Sequence, residues 1–231
     1  MAVTAADILD QAANDLNDSA HAYWTEDELL AYLNDGQRAA VLLKPEVNPD
    51  VMDLMLVSGS RQTLNKTETE EVYLLLDINC FKDADDGDPQ GIITPVERKD
   101  LDNITPRWRQ VDSSMTMPPE NLQGNFVYDV RNRNTFYLYP SYSDWNGWHV
   151  EIVYAKTPQD ITSFSGNLTL DDIYAPALLA YVMHRARAKD VSIEGQSAQL
   201  SSLFFQKFTA LINGDPMKER EIIIRAEQIE E

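Results

Sequence analysis

Residues 168–213 constrain the fold more than any other stretch. The run LTLDDIYAPALLAYVMHRARAKDVSIEGQSAQLSSLFFQKFTALIN reads as two helices of similar length joined by a short polar turn. Thr169 and Asp172 have capping-box spacing, with Asp in place of the usual Glu or Gln, and acids at 171 and 172 suit a helix N-terminus. Pro176 then falls near the first turn, where a missing N–H costs little. Ile173, Ala177, Tyr181 and Ala188 recur at helical spacing beside Tyr174, Leu178 and Val182. Arg185, Arg187 and Lys189 put positive charge at the carbonyl end. In the second helix Leu200, Leu203, Phe204, Phe208 and Leu211 form one apolar stripe, closed by Gly214 and Pro216. At roughly 1.5–3 kcal/mol per buried large side chain, that stripe contributes about 10 kcal/mol before chain entropy is counted.

Two further helices are predicted at the N-terminus. Thr4 and Asp7 cap one running to about Asn17, with Leu9, Ala12, Ala13 and Leu16 on one face. Thr25 and Glu28 form a capping box for the next, which carries Leu29, Leu30, Leu33, Ala40 and Val41 until Lys44-Pro45. Gly36 marks a place where a neighbouring backbone can approach. From about 50 to 160 the periodicity changes to alternation. Strands are predicted at 51–57, 71–76, 91–96, 124–130, 135–140 and 148–154, with Arg131-Asn132-Arg133-Asn134 and Asn146-Gly147 as turns. The expected fold class is α+β: an antiparallel bundle of two N-terminal and two C-terminal helices (1–46 and 157–213) with an inserted, mostly antiparallel β region (47–156) and a C-terminal arm (214–231). The expected bundle core is Leu29, Leu33, Leu178, Val182, Leu200, Leu203, Phe204, Phe208 and Leu211.

A formal charge of −19 argues against a protein that grips nucleic-acid phosphates, and it disfavours anionic membranes. It serves solubility, or a surface past which DNA moves without sticking. No run is long and apolar enough to span a bilayer, and MAVTAADILD lacks a basic n-region, so neither a membrane segment nor a signal peptide is expected. Cys80 is the single cysteine, which precludes an intrachain disulfide.

Motifs for catalysis are missing. His21, His149 and His184 fall on separate predicted elements, and no Gly-x-Ser-x-Gly elbow, Gly-Lys-Ser/Thr or Gly-x-Gly-x-x-Gly is present. The acidic run at 83–88 fails the calcium-loop pattern at its fifth, sixth and twelfth positions, which are Gly87, Asp88 and Thr94, so it reads as a polar turn. The expectation is no enzyme, no cofactor and no metal. The aromatics Tyr137, Tyr139, Tyr142, Trp145 and Trp148 leave open a second reading, a non-catalytic module for carbohydrate or protein recognition built on the β region. A metal-dependent enzyme is a third, resting on the acidic run alone.

Several stretches together resemble the head-to-tail adaptor, or connector, proteins of short-tailed bacteriophages. They are Tyr23-Trp24-Thr25-Glu26-Asp27-Glu28-Leu29-Leu30, Leu33-Asn34-Asp35-Gly36-Gln37-Arg38, Gly59-Ser60-Arg61-Gln62, Pro106-Arg107-Trp108, Phe136-Tyr137-Leu138-Tyr139-Pro140 and Leu170-Asp171-Asp172-Ile173-Tyr174. The chain departs from the pattern at Pro176, at Cys80-Phe81, where a polar turn is expected, and in a long tail after Gly214. The resemblance implies a structural virion protein made in the bacterial host cytoplasm. Twelve copies would form a ring under the portal protein, continue the DNA channel without binding DNA specifically, and dock a tail tube or nozzle protein. It also implies that the C-terminal segment is a portal-binding arm, anchored by Ile222, Ile223, Ile224 and Ile229.

Overall fold

The computed structural model describes residues 3–64, 72–82, 87–111, 114–119, 121–145, 147–189 and 196–214. The chain is mixed α+β, with five α-helices among those residues and a curled seven-stranded sheet. The described residues divide into two units, one from Pro49 to Thr157 and one made of the segments before and after it.

The helical unit holds α1 (Ala5–Asp15), α2 (Glu26–Leu43), α4 (Ala175–Lys189) and α5 (Gln196–Asn213). α1 begins at a full capping box: Thr4 Oγ1 accepts from the Asp7 N–H, and the Asp7 carboxylate accepts from the Thr4 N–H at 2.8 Å. α2 keeps half of its expected box. Thr25 Oγ1 accepts from the Glu28 N–H, but the Glu28 carboxylate takes the Lys189 ammonium at 2.6 Å and the Tyr32 hydroxyl at 2.7 Å. Asp35 pairs with Arg185 at 2.9 Å, and Tyr181 lies against Gly36. Rising numbers on α2 meet falling numbers on α4, so these two helices run antiparallel. Gly36 is there for a ring: a Cβ would sit 3.0 Å from Tyr181 Cδ1. α4 and α5 are antiparallel as well, since His184 meets Ser201 and Tyr181 meets Phe208.

Three expectations for this unit need correction. Thr169 and Asp172 do not form a capping box, because the Thr169 N–H donates to Gln37 and its hydroxyl to the Gln159 carbonyl. Asp171 caps instead, accepting from the Ile173 N–H at 3.0 Å. A 3₁₀ turn (Asp172–Tyr174) precedes α4, which leaves Ile173 75% exposed, and Ala188 is exposed on the opposite side from buried Ala186. In α5, Phe204 and Leu211 are half-buried. Ser201 and Phe208 meet α4, a rotation that carries Phe204 and Leu211 toward the edge of the buried face.

The sheet unit contains β1 (Pro49–Met55), β2 (Arg61–Thr63), β3 (Val72–Lys82), β4 (Pro89–Pro95), α3 (Arg98–Ile104), β5 (Leu122–Tyr128), β6 (Thr135–Tyr139) and β7 (His149–Lys156). Strand order is β1-β7-β3-β4-β5-β6-β2, antiparallel at every pairing except β4–β5. One face packs the main core, in which Phe81 stacks on Trp145 with ring centroids 5.9 Å apart and meets Trp148 edge-on. The polar turn expected at Cys80-Phe81 is therefore absent. Phe81 is a core residue in the last turns of a long β3, where apolar burial overrides the polar neighbours. The opposite face carries a smaller cluster, Leu101, Trp108 and Val127 with Val96, Tyr137 and Tyr139 around it.

Candidate functional site

The sheet unit bears a cleft of about 1020 Å³ on the side of the smaller cluster. Alternation along β6 decides which residues reach it. Phe136 and Leu138 point into the main core, so Thr135 and Tyr137 fall on the cleft side. Trp108 closes one wall. Its indole N–H donates to Asp102 at 2.8 Å, and its ring meets Tyr137 edge-on. Arg109 lies across both rings, with its guanidinium carbon 4.8 Å from the Trp108 centroid and 5.5 Å from that of Tyr137. Arg98, Lys99 and Arg131 complete a cationic rim.

Among the described residues, three of the rim cations have a close carboxylate partner nearby in sequence. Arg98 pairs with Asp102, Lys99 with Glu97 at 2.6 Å, and Arg131 with Asp129 at 2.9 Å. The indole N–H of Trp108 and the Arg98 charge hold the Asp102 carboxyl below the usual carboxylate range, and Arg131 does the same for Asp129. On the cleft lining, Thr135 is 5% exposed and its Oγ1 has no hydrogen-bond partner. The arrangement offers an apolar floor, one ring-backed guanidinium and one buried hydroxyl to an incoming group.

The sequence did not single out Arg98, Lys99, Arg109 and Arg131 as a group. The signal was present in the charge distribution. Residues 95–135 hold six Lys/Arg and six Asp/Glu, so the whole surplus of 19 negative charges lies outside that span.

Of the expected bundle core, Leu29, Leu33, Leu178, Val182, Leu200, Leu203 and Phe208 are buried, and Phe204 and Leu211 are half-exposed. Ile222, Ile223, Ile224 and Ile229 lie outside the described residues, as do residues 83–86 of the acidic run. The aromatic platform imagined for a sugar is not assembled. Tyr142, Trp145 and Trp148 are core residues, and only Tyr137 and Tyr139 keep partial exposure. Among the described residues no group of three His, Cys, Asp or Glu is placed to hold a metal ion, and no helix is long and apolar enough to cross a membrane.

The family model described as SU10 adaptor protein matches residues 3–222. The chain belongs to that family, one of structural phage adaptors, and membership makes it a virion component that assembles with portal and tail proteins. No curated protein matches it.

Proposed function

We propose that the protein joins the capsid to the tail as a ring beneath the portal and continues the channel through which DNA leaves. The observation that carries this reading is the family match over residues 3–222. Twelve copies form the ring, and their combined charge of about −228, from −19 on each, keeps DNA moving by repelling its phosphates. In this account α1, α2, α4 and α5 close into one bundle within residues 1–46 and 157–213, and the inserted region 47–156 faces tail proteins or neighbouring subunits. The arm 214–231 holds the portal through Ile222, Ile223, Ile224 and Ile229.

Deleting residues 217–231 tests the arm. The shortened chain should keep the circular dichroism spectrum and thermal midpoint of the full chain and fail to co-sediment with portal protein. Unchanged portal binding would show that the arm is not the anchor.

A further inference from the structure

The two edges of the sheet are finished differently. β2, at one edge, is three residues long, and its Gln62 amide bonds Val57 and Gly59, which ties it back to the chain before it. β1, at the other edge, is seven residues long and pairs only with β7 among the described residues. The Leu56 N–H donates to the Trp148 carbonyl, and that bond fixes the alternation. Backbone groups of Asp50, Met52 and Leu54 point to β7, and those of Val51, Asp53 and Met55 point out of the sheet. The Asp50 carboxylate takes the Val51 N–H at 2.8 Å, but the N–H groups of Asp53 and Met55 meet no strand among the described residues. The side chains there are open too, with Val51 52% and Met55 62% exposed. Long edges are ordinarily guarded by lysines, a proline, a bulge or a cover. Here Pro49 stands before the open stretch, and the one charge inside it, Asp53, is held by Lys82 at 2.9 Å.

We propose that β1 receives an extended strand of the tail protein as an added strand of this sheet. The inference gives a contact to the region 47–156, already assigned to tail proteins or neighbouring subunits, and rests on that assignment. Main-chain bonds to residues 51–55 supply affinity, and alternate side chains of the added strand lie against exposed Val51 and Met55. Residues 51–55 span about 17 Å, so about five or six residues of the partner suffice. Charge sets the central side chain. Asp53 and Glu151 share one ammonium, that of Lys82, at 2.9 and 2.6 Å, in a chain of net charge −19. The position beside Asp53 therefore favours Lys or Arg and rejects an acid. A second copy of this chain fits the edge worse. β1 against β1 is a twofold contact that closes as a dimer, whereas a ring needs a head-to-tail one. β2 of another copy offers only three residues, and either pairing joins two chains of the same sign.

Hydrogen exchange resolved residue by residue, on the full chain alone and bound to tail protein, tests the edge. The amides of Asp53 and Met55 should exchange freely in the chain alone and at least about a hundredfold more slowly in the complex. Those of Met52 and Leu54, bonded to β7, should be protected in both states. Asp53→Pro removes an outward donor without touching a bond to β7, and the double variant Val51→Lys, Met55→Lys puts guarding charges on the edge. Each should keep the parent's circular dichroism spectrum and thermal midpoint and bind tail protein at least about tenfold more weakly. The lysine variant carries the test if proline disturbs the strand. Unchanged exchange at Asp53 and Met55 in a complex that forms, or parent-level binding by the lysine variant, would overturn the edge contact and leave the assignment of 47–156 standing. Protection of those two amides in the chain alone, rising with its concentration, would put a second copy on the edge and overturn the choice of tail protein. A chain that binds no tail protein would instead sink the assignment itself, and the proposal with it.

Discussion

Phe208 is fully buried, and its ring centroid lies 5.1 Å from that of Tyr181, so it ties α5 to α4. Phe208→Ala should cost about 3–5 kcal/mol by chemical denaturation of the full chain. Phe204→Ala should cost less than half as much, because its side chain is only half-buried. Equal losses would mean that α5 is rotated from the register described. That pair also marks what residue spacing can convey. Both phenylalanines sit on one apolar stripe, but stripe membership does not say which residue stands at its centre, and the Ser201–His184 contact decides that. Gly36 was legible as a close approach but not as the seat of a tyrosine ring. Gly36→Val should destabilise by roughly 1–3 kcal/mol in the same assay, since its Cβ would press on Tyr181. A neutral result would place the ring elsewhere.

The elements are held by polar seams as much as by apolar stripes. Gln37 on α2 is fully buried and accepts from the Thr169 N–H at 2.8 Å, and Asn34 bonds both the N–H and the carbonyl of Ile161. Gln37→Leu should cost about 1–3 kcal/mol in denaturant titration by stranding a buried donor; a stabilised variant would contradict that role. A lysine hydrogen bond lowers the pKa of each of three carboxyls: Glu28 by Lys189, Asp50 by Lys156 and Glu151 by Lys82. Groups with depressed folded pKa values stabilise above the unfolded range of about 3.9–4.3 and lose that contribution as pH falls through the lower folded values. Stability measured by denaturant titration should therefore hold from neutrality to about pH 5 and fall below about pH 4. A flat profile down to pH 2 would show that the pairs do not matter. On the alkaline side, burial followed by the bond to Glu28 pushes the Tyr32 hydroxyl up to about 12. Its raised value contributes stability below about pH 10 that is lost as pH rises through 12, and the 295 nm titration should show a tyrosine ionising there. Helix starts at Thr4 and Thr25 and the strands at 122–128, 135–139 and 149–156 were readable from caps and alternation. α3 and β2 were not. α3 is seven residues long, lacks a side-chain cap and buries only Leu101, and β2 is three residues, so neither shows a full period of any pattern.

At the scale of the whole molecule, the mixed α+β class and the adaptor family were both legible in the chain, the first from the change of period near residue 50 and the second from short segments in family order. The cleft was not, because it draws on β3, β4, β5, β6 and the Trp108 region, and only a sheet in which β4 lies parallel to β5 brings those stretches together. Surplus charge gains meaning at this scale as well. Copies carrying −19 each repel one another, so a ring requires attraction at defined places. The account stands on assembly with the portal. Light scattering of the 26.2 kDa chain, alone and mixed with portal protein, measures it directly. A complex whose added mass is about twelve chains per portal ring is the result predicted; a chain that stays monomeric and leaves the portal's mass unchanged would contradict it.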